Sequence, residues 1–322
     1  MTLLPLLSDN QNLPPLTLVR AAGVWKVAPV ALALVAVLAA AHLWAVRRVR
    51  LRGERWPAAR TIAFHSGLAT HLVATSSFLG VYAHTLFWAR AAQVIISLMV
   101  TPLLIAIGAP VTLLLAVVPA TTARVLRRVG RGTAAKALTF PLLITAALAV
   151  PLAALYLTPL YEWTIRRPYV DEPLLLVIAA SGFVYYWTRL RADPTPRDDP
   201  HLVSFAISLT EAIVDGVVGL VLWFGPLVAG DYYQALHRGW GPDVQLDQIL
   251  GAGIIWIGGD LAGLPFVAAL LLRWMRADER HARDVDRHLD AEEETARQAA
   301  SPSVGALWWE TDPVLRDRYR GG

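Results

Sequence analysis

Cysteine is absent from this 322-residue chain, which excludes disulfides, thiolate metal sites and cysteine nucleophiles in any compartment. The softest protein ligand for copper is therefore missing, and of three methionines only Met99 lies inside an apolar run. Lysine is nearly absent as well: Lys26 and Lys136 are the two, and every other basic side chain is an arginine. Charged residues make up 17 % of the chain against 56 % hydrophobic, a balance that suits lipid as a solvent better than water.

A bilayer core about 30 Å thick calls for about 20 mostly apolar residues per helix. Runs of that kind place spans at roughly 27–46, 61–86, 91–118, 137–158, 173–190, 203–228 and 246–272. Two carry breakers, Gly108-Ala109-Pro110 in the third and Gly225-Pro226 in the sixth. The expected fold is an all-α integral membrane bundle of seven helices. Residues 1–26 form an outer segment, 27–273 the bundle and 274–322 a charged helix and tail.

The loop arginines give the orientation. Arg47, Arg48, Arg50, Arg52, Arg55 and Arg60 share one side with Arg124, Arg127, Arg128, Arg131 and Lys136, with Arg189, Arg191 and Arg197, and with nine arginines after the last span. That side holds 23 basic residues and the other 6, which predicts the N-terminus outside and the C-terminus in the cytoplasm. The same count explains the basic balance without nucleic acid as a partner. The first 26 residues lack a basic region followed by a cleavage site, so the first helix is expected to stay as a span. In the tail, Trp308-Trp309 could meet the membrane interface or a partner.

Ionisable groups inside spans are expensive and so are candidates by default. They are His71 in the second helix, Glu211 and Asp215 one turn apart in the sixth, and Asp260 in the seventh. His71, Asp215 and Asp260 fall at similar depth and are expected to face the bundle interior, as a metal site, a proton relay or a packing cluster. His65 and His42 lie nearer the cytoplasmic end, His42 as an interfacial residue.

A second polar layer comprises His84, Arg90, Gln93, Asp171, Glu172, Asp247 and Gln248 at the outer helix ends. Asp247 is read as an N-cap, and Tyr82, Trp88, Tyr232 and Tyr233 as an interfacial aromatic belt. Gly251, Gly253, Gly258, Gly259 and Ser181-Gly182 read as sites of close helix contact. No nucleotide fingerprint, nucleophile elbow or two-histidine zinc helix is present, and a non-enzymatic role is expected.

The order of several motifs is shared with a known family. They are Leu86-Phe87, Pro102, Gly108-Ala109-Pro110, Pro159-Leu160-Tyr161-Glu162, Gly182 with Trp187, Asp193-Pro194, Gly219, Asp247-Gln248 with Gly251 and Trp256, and the Trp274 to Arg283 tail. From about Arg60 to Arg283 the sequence resembles the CtaG family of seven-helix cytochrome c oxidase assembly proteins, associated with providing copper to the oxidase. The resemblance implies a multi-pass protein of the bacterial plasma membrane, acting as an assembly chaperone with oxidase subunits and the bilayer as partners.

The family's histidines are largely replaced. Their positions correspond to Arg90 and Val94, to the neighbourhood of Tyr156 or Leu157, to Asp171, Leu175 and Val177, and to Asp215. A copper site would have to draw on His71, His84, Asp171, Asp215 and Asp247. If the metal is lost, Arg90 is expected to pair with Asp171 or Glu172 instead. Three readings stay open: an assembly factor with an altered metal site, a metal-free accessory scaffold, and an ion- or proton-coupled transporter using His71, Glu211, Asp215 and Asp260.

Overall fold

A computed structural model describes residues 13–190, 192–195, 201–299 and 312, with no strand among them. Two compact units are distinguished, Met1–Leu270 and Leu271–Gly322. The helices in chain order are α1 (Leu18–Gly23), α2 (Pro29–Leu51), α3 (Ala58–Ser76), α4 (Phe78–Tyr82), α5 (Phe87–Ile107), α6 (Pro110–Val117), α7 (Ala120–Gly130) and α8 (Thr133–Leu138). They continue with α9 (Pro141–Leu157), α10 (Leu160–Ile165), α11 (Pro168–Leu190), α12 (His201–Phe224), α13 (Gly230–Ala235), α14 (Val244–Gly253) and α15 (Gly259–Ala299).

Three of these, α2, α5 and α11, are long and apolar enough to cross a membrane; α9 and the 212–224 part of α12 are apolar but shorter. The chain is thus an all-α membrane protein. Helix α5 is its axis: its apolar window is 67 % buried, against 28 % for α2 at the periphery. The main core joins Leu98 and Met99 of α5 to Leu148 and Leu152 of α9, Leu175 and Ile178 of α11, Val218 and Leu222 of α12 and Ala252 of α14.

Small residues let the helices approach α5. A side chain at Gly67 of α3 would come within 2.9 Å of the Thr101 carbonyl, and one at Gly251 of α14 would strike the Phe87 ring. Gly182 of α11 abuts the Leu98 carbonyl. Pro102 has no N–H to offer that carbonyl, and the chain passes through a π-helical turn at Ile96–Val100 just before it. Gly251, Gly182 and Gly259 therefore are contact glycines, whereas a methyl at Gly253 or Gly258 would meet only ordinary van der Waals neighbours, at 3.7 and 3.6 Å.

Both breakers end helices. Helix α5 stops at Ile107, Ala109 takes a left-handed φ of 53°, and Pro110 opens α6 at its first turn. Asp193 reaches back from beyond α11 to accept from Val111 N at 3.0 Å and Thr112 N at 2.6 Å, capping α6. After Phe224 the Gly225-Pro226 break is held by Gln248, whose amide donates to Leu222 O at 2.8 Å and Pro226 O at 3.0 Å and accepts from Val228 N at 2.7 Å. Arg189, read above as a loop residue, is buried in the last turn of α11.

Candidate functional site

The second polar layer forms where α4 gives way to α5. Helix α4 ends at Tyr82, the turn carries His84, and α5 begins at Phe87, so Arg90 points inward from its first turn. Arg90 is 1 % exposed, among the most deeply buried large side chains of the protein. Its Nη1 donates to Gln93 Oε1 at 2.9 Å, one turn on, and Gln93 Nε2 donates to Ala74 O of α3 at 2.9 Å. Its Nη2 lies 3.1 Å from Asp171 Oδ1 in the first turn of α11. That contact is a charge pair rather than an aligned hydrogen bond, since neither atom meets hydrogen-bond geometry there.

Asp171 is also bonded to His84 Nε2, while His84 Nδ1 contacts the Ile165 carbonyl at 3.1 Å. The ring is thereby held between a carbonyl and a carboxylate, both of them acceptors. Tyr232 donates to the His84 carbonyl at 3.0 Å. Beneath Arg90, Tyr161 and Tyr233 share a hydroxyl hydrogen bond at 2.7 Å, and Phe87 packs on both rings and on Tyr156. Burial raises the Tyr161 and Tyr233 phenols well above their ordinary value, and the Arg90 charge opposes that shift. Tyr82, Tyr232 and Tyr233 are therefore interior residues, not an interfacial belt: each must bury its ring while its hydroxyl finds a partner.

Two carboxylates of the layer, and a third at the other end of α11, cap helices other than their own. Asp247 accepts from Phe87 N and Trp88 N, both at 3.0 Å, closing the N-terminus of α5, and lies 3.3 Å from Arg238 Nη2. Its own helix is capped by Asp243, which accepts from Leu246 N at 2.8 Å, so the N-cap expected at Asp247 is displaced by one turn. Glu172 accepts from Ala31 N at 2.9 Å in the first turn of α2. Asp193, at the opposite end of α11, caps α6. Lys26, ahead of α2, is electrostatically coupled to Asp171 and Glu172, while burial lowers its pKa.

Among the described residues the mid-depth trio is not grouped to hold a metal ion. Both ring nitrogens of His71 lack hydrogen-bond partners among the described residues, and the ring borders an apolar cavity of about 480 Å3 with Phe64, Leu68, Thr101 and Phe183. Asp215 is buried, as expected, beside Gly259 and Met99: a methyl at Gly259 would lie 3.0 Å from Asp215 Oδ2 and 3.6 Å from Met99 Sδ. Asp260 is exposed, contrary to an interior position; one residue past Gly259, the helix turns it about 100° away from Asp215. The side chain of Glu211 and the Trp308-Trp309 pair lie outside the described residues. His42 is buried and stacked on Phe64 at 4.2 Å, not interfacial.

Copper does not fit the donor set at Arg90. Arg90, Tyr156 and Asp171 converge from three helices, with Val94 and Leu175 in the adjoining core. A fixed guanidinium on the carboxylate opposes any cation there, and two of the five positions are carbon only. Val177, another replaced position, is exposed. Among the described residues no three His, Asp or Glu side chains are grouped to hold a metal ion. Sequence reasoning missed Arg238 and Asp193 as partners of helix ends, although Asp193-Pro194 stood out as a motif.

These features define an α-helical membrane protein with a polar layer closed by cross-helix caps around a buried arginine–carboxylate pair. The family model described as cytochrome c oxidase caa3 assembly factor (CtaG) matches residues 40–277, and the chain belongs to that family. It is 28 % identical over 292 residues to the uncharacterized proteins Mb0105 of Mycobacterium bovis and MT0111 of Mycobacterium tuberculosis. It is 26 % identical over 293 residues to ML1998 of Mycobacterium leprae, also uncharacterized. Each match covers 86 % of this chain and 43 % of the relative, so the chain spans less than half the length of these curated relatives. No solved structure matches it.

Proposed function

We propose that this chain assists assembly of a cytochrome c oxidase as a membrane scaffold, with protein contacts rather than copper transfer as its task. The observation that carries the reading is Arg90: at a position where the family resemblance calls for histidine, a buried guanidinium is paired with Asp171 at 3.1 Å. The family match supports the oxidase as partner. The seven apolar segments centred on α2, α3, α5, α9, α11, α12 and α14–α15 serve as the spans in a plasma membrane, N-terminus outside, on the 23 to 6 distribution of basic residues.

Affinity purification of the full chain from its own membranes, with mass spectrometry of captured proteins and elemental analysis, tests this. Oxidase subunits captured with copper well below one per chain are expected. Stoichiometric copper that disappears on His84→Ala or Asp171→Asn would overturn the metal-free reading. Capture of no oxidase subunit would overturn the assembly role.

A further inference from the structure

At the basic end of the bundle the chain between Val118 and Phe140 holds Arg124, Arg127, Arg128, Arg131 and Lys136 and not one acid. Helix α7 sorts these residues cleanly. At about 100° per residue, Arg124, Arg127 and Arg128 share one side while Val125, Leu126 and Val129 share the other, and that apolar side is exposed. A short helix with a basic face opposite an uncovered apolar face suits the plane of a membrane interface, with the apolar residues in the acyl boundary.

Where α7 meets the end of α2, a cleft of about 390 Å3 opens with Arg52, Arg124 and Arg127 on its walls and Leu115, Val118 and Ala123 among its apolar lining. Arg52 is pinned there by donating from Nη1 to Ala116 O at 2.6 Å, which leaves further guanidinium donors for a ligand. None of the three arginines has a carboxylate partner among the described residues, whereas Arg90, Arg166 and Arg238 all do. Loop arginines that only set topology need no shared cleft and no apolar floor.

We infer that this cleft binds the phosphodiester headgroup of an anionic phospholipid, with its acyl chains running along the apolar floor. Guanidinium forks match phosphate oxygens in pairs, and basic pockets at helix ends are suited to such headgroups. The site is independent of the role assigned to the Arg90 layer.

The test uses the full chain in detergent, with native mass spectrometry counting retained phosphatidylglycerol against phosphatidylcholine. Wild type retains phosphatidylglycerol preferentially. Arg124→Gln with Arg127→Gln lowers that retention about 25-fold, at about 5-fold per arginine, while Arg47→Gln with Arg50→Gln changes it less than about 2-fold. If the double variant does not fold, Arg127→Gln alone carries the test with its single 5-fold fall. Equal losses in both pairs, or no lipid preference in wild type, would overturn the site. Displacement by millimolar glycerol phosphate would also overturn the lipid assignment, because it would show that the acyl chains contribute nothing.

Discussion

The Arg90–Asp171 pair offers the most direct experiment on the polar layer. Two unit charges 3.1 Å apart attract by about 5 kcal/mol at an effective dielectric of about 20, and desolvation of the guanidinium offsets a large part of that. Arg90→Met leaves the buried Asp171 carboxylate with His84 but without its guanidinium, and leaves Gln93 Oε1 without its 2.9 Å donor. Breaking a buried pair from one side typically costs about 3–5 kcal/mol, and that loss is expected here. Asp171→Asn, which keeps an acceptor for His84, should cost a similar amount by stranding the arginine. The double variant should lose less than either single one, because neither charge is then left alone. Thermal or detergent-induced unfolding, followed by intrinsic fluorescence, gives the three values. A coupling below about 0.5 kcal/mol, meaning costs that simply add, would refute the claim that these two charges hold the layer together.

Asp247→Ala removes two backbone caps from α5 and strands Arg238, and a loss of about 2 kcal/mol is expected by the same unfolding assay, against about 1 kcal/mol or less for the exposed cap Asp243→Ala. Gly182→Leu drives a side chain into the Leu98 carbonyl and should cost about 1–3 kcal/mol or abolish folding, while Gly258→Ala should stay within about 0.5 kcal/mol of wild type. Because the Tyr161 and Tyr233 phenols are raised above the ordinary value of 10.0, their contribution to stability is complete below that pH and is lost as pH climbs through their folded values. Alkaline titration by ultraviolet absorbance should therefore show tyrosinate from these two only at a pH above the ordinary phenol value of 10.0. Single cysteines, introduced into a background that has none, test the orientation: an impermeant label should reach position Asp243 from outside and not Arg128.

The apolar runs, the scarcity of charge and the one-sided arginines were sufficient by themselves for an all-α membrane chain, because hydrocarbon admits only segments whose backbone bonds close internally. The helix breaks at Gly108-Ala109-Pro110 and Gly225-Pro226 were equally legible, since proline and glycine act on their own local backbone. That Arg90 pairs with a carboxylate was expected from its charge at a position where the family resemblance calls for histidine, but its choice of Asp171 over Glu172 was not legible. These two are neighbours in sequence, and a helix turns adjacent side chains about 100° apart, so one meets α5 and the other the start of α2.

Depth along a span was a poor guide to contact for the same reason. His71, Asp215 and Asp260 were expected at one level, yet rotation about the helix axes sends them to an apolar cavity, to Gly259 and outward. Likewise an aspartate in a helix's first turn reads as a cap of that helix. Only the packing of α14 on α5, made close by Gly251 against Phe87, gave Asp247 another helix's amides to satisfy. Residue chemistry therefore determined which groups needed partners, and helix rotation and close approach, which have no local signature, decided which partners they found.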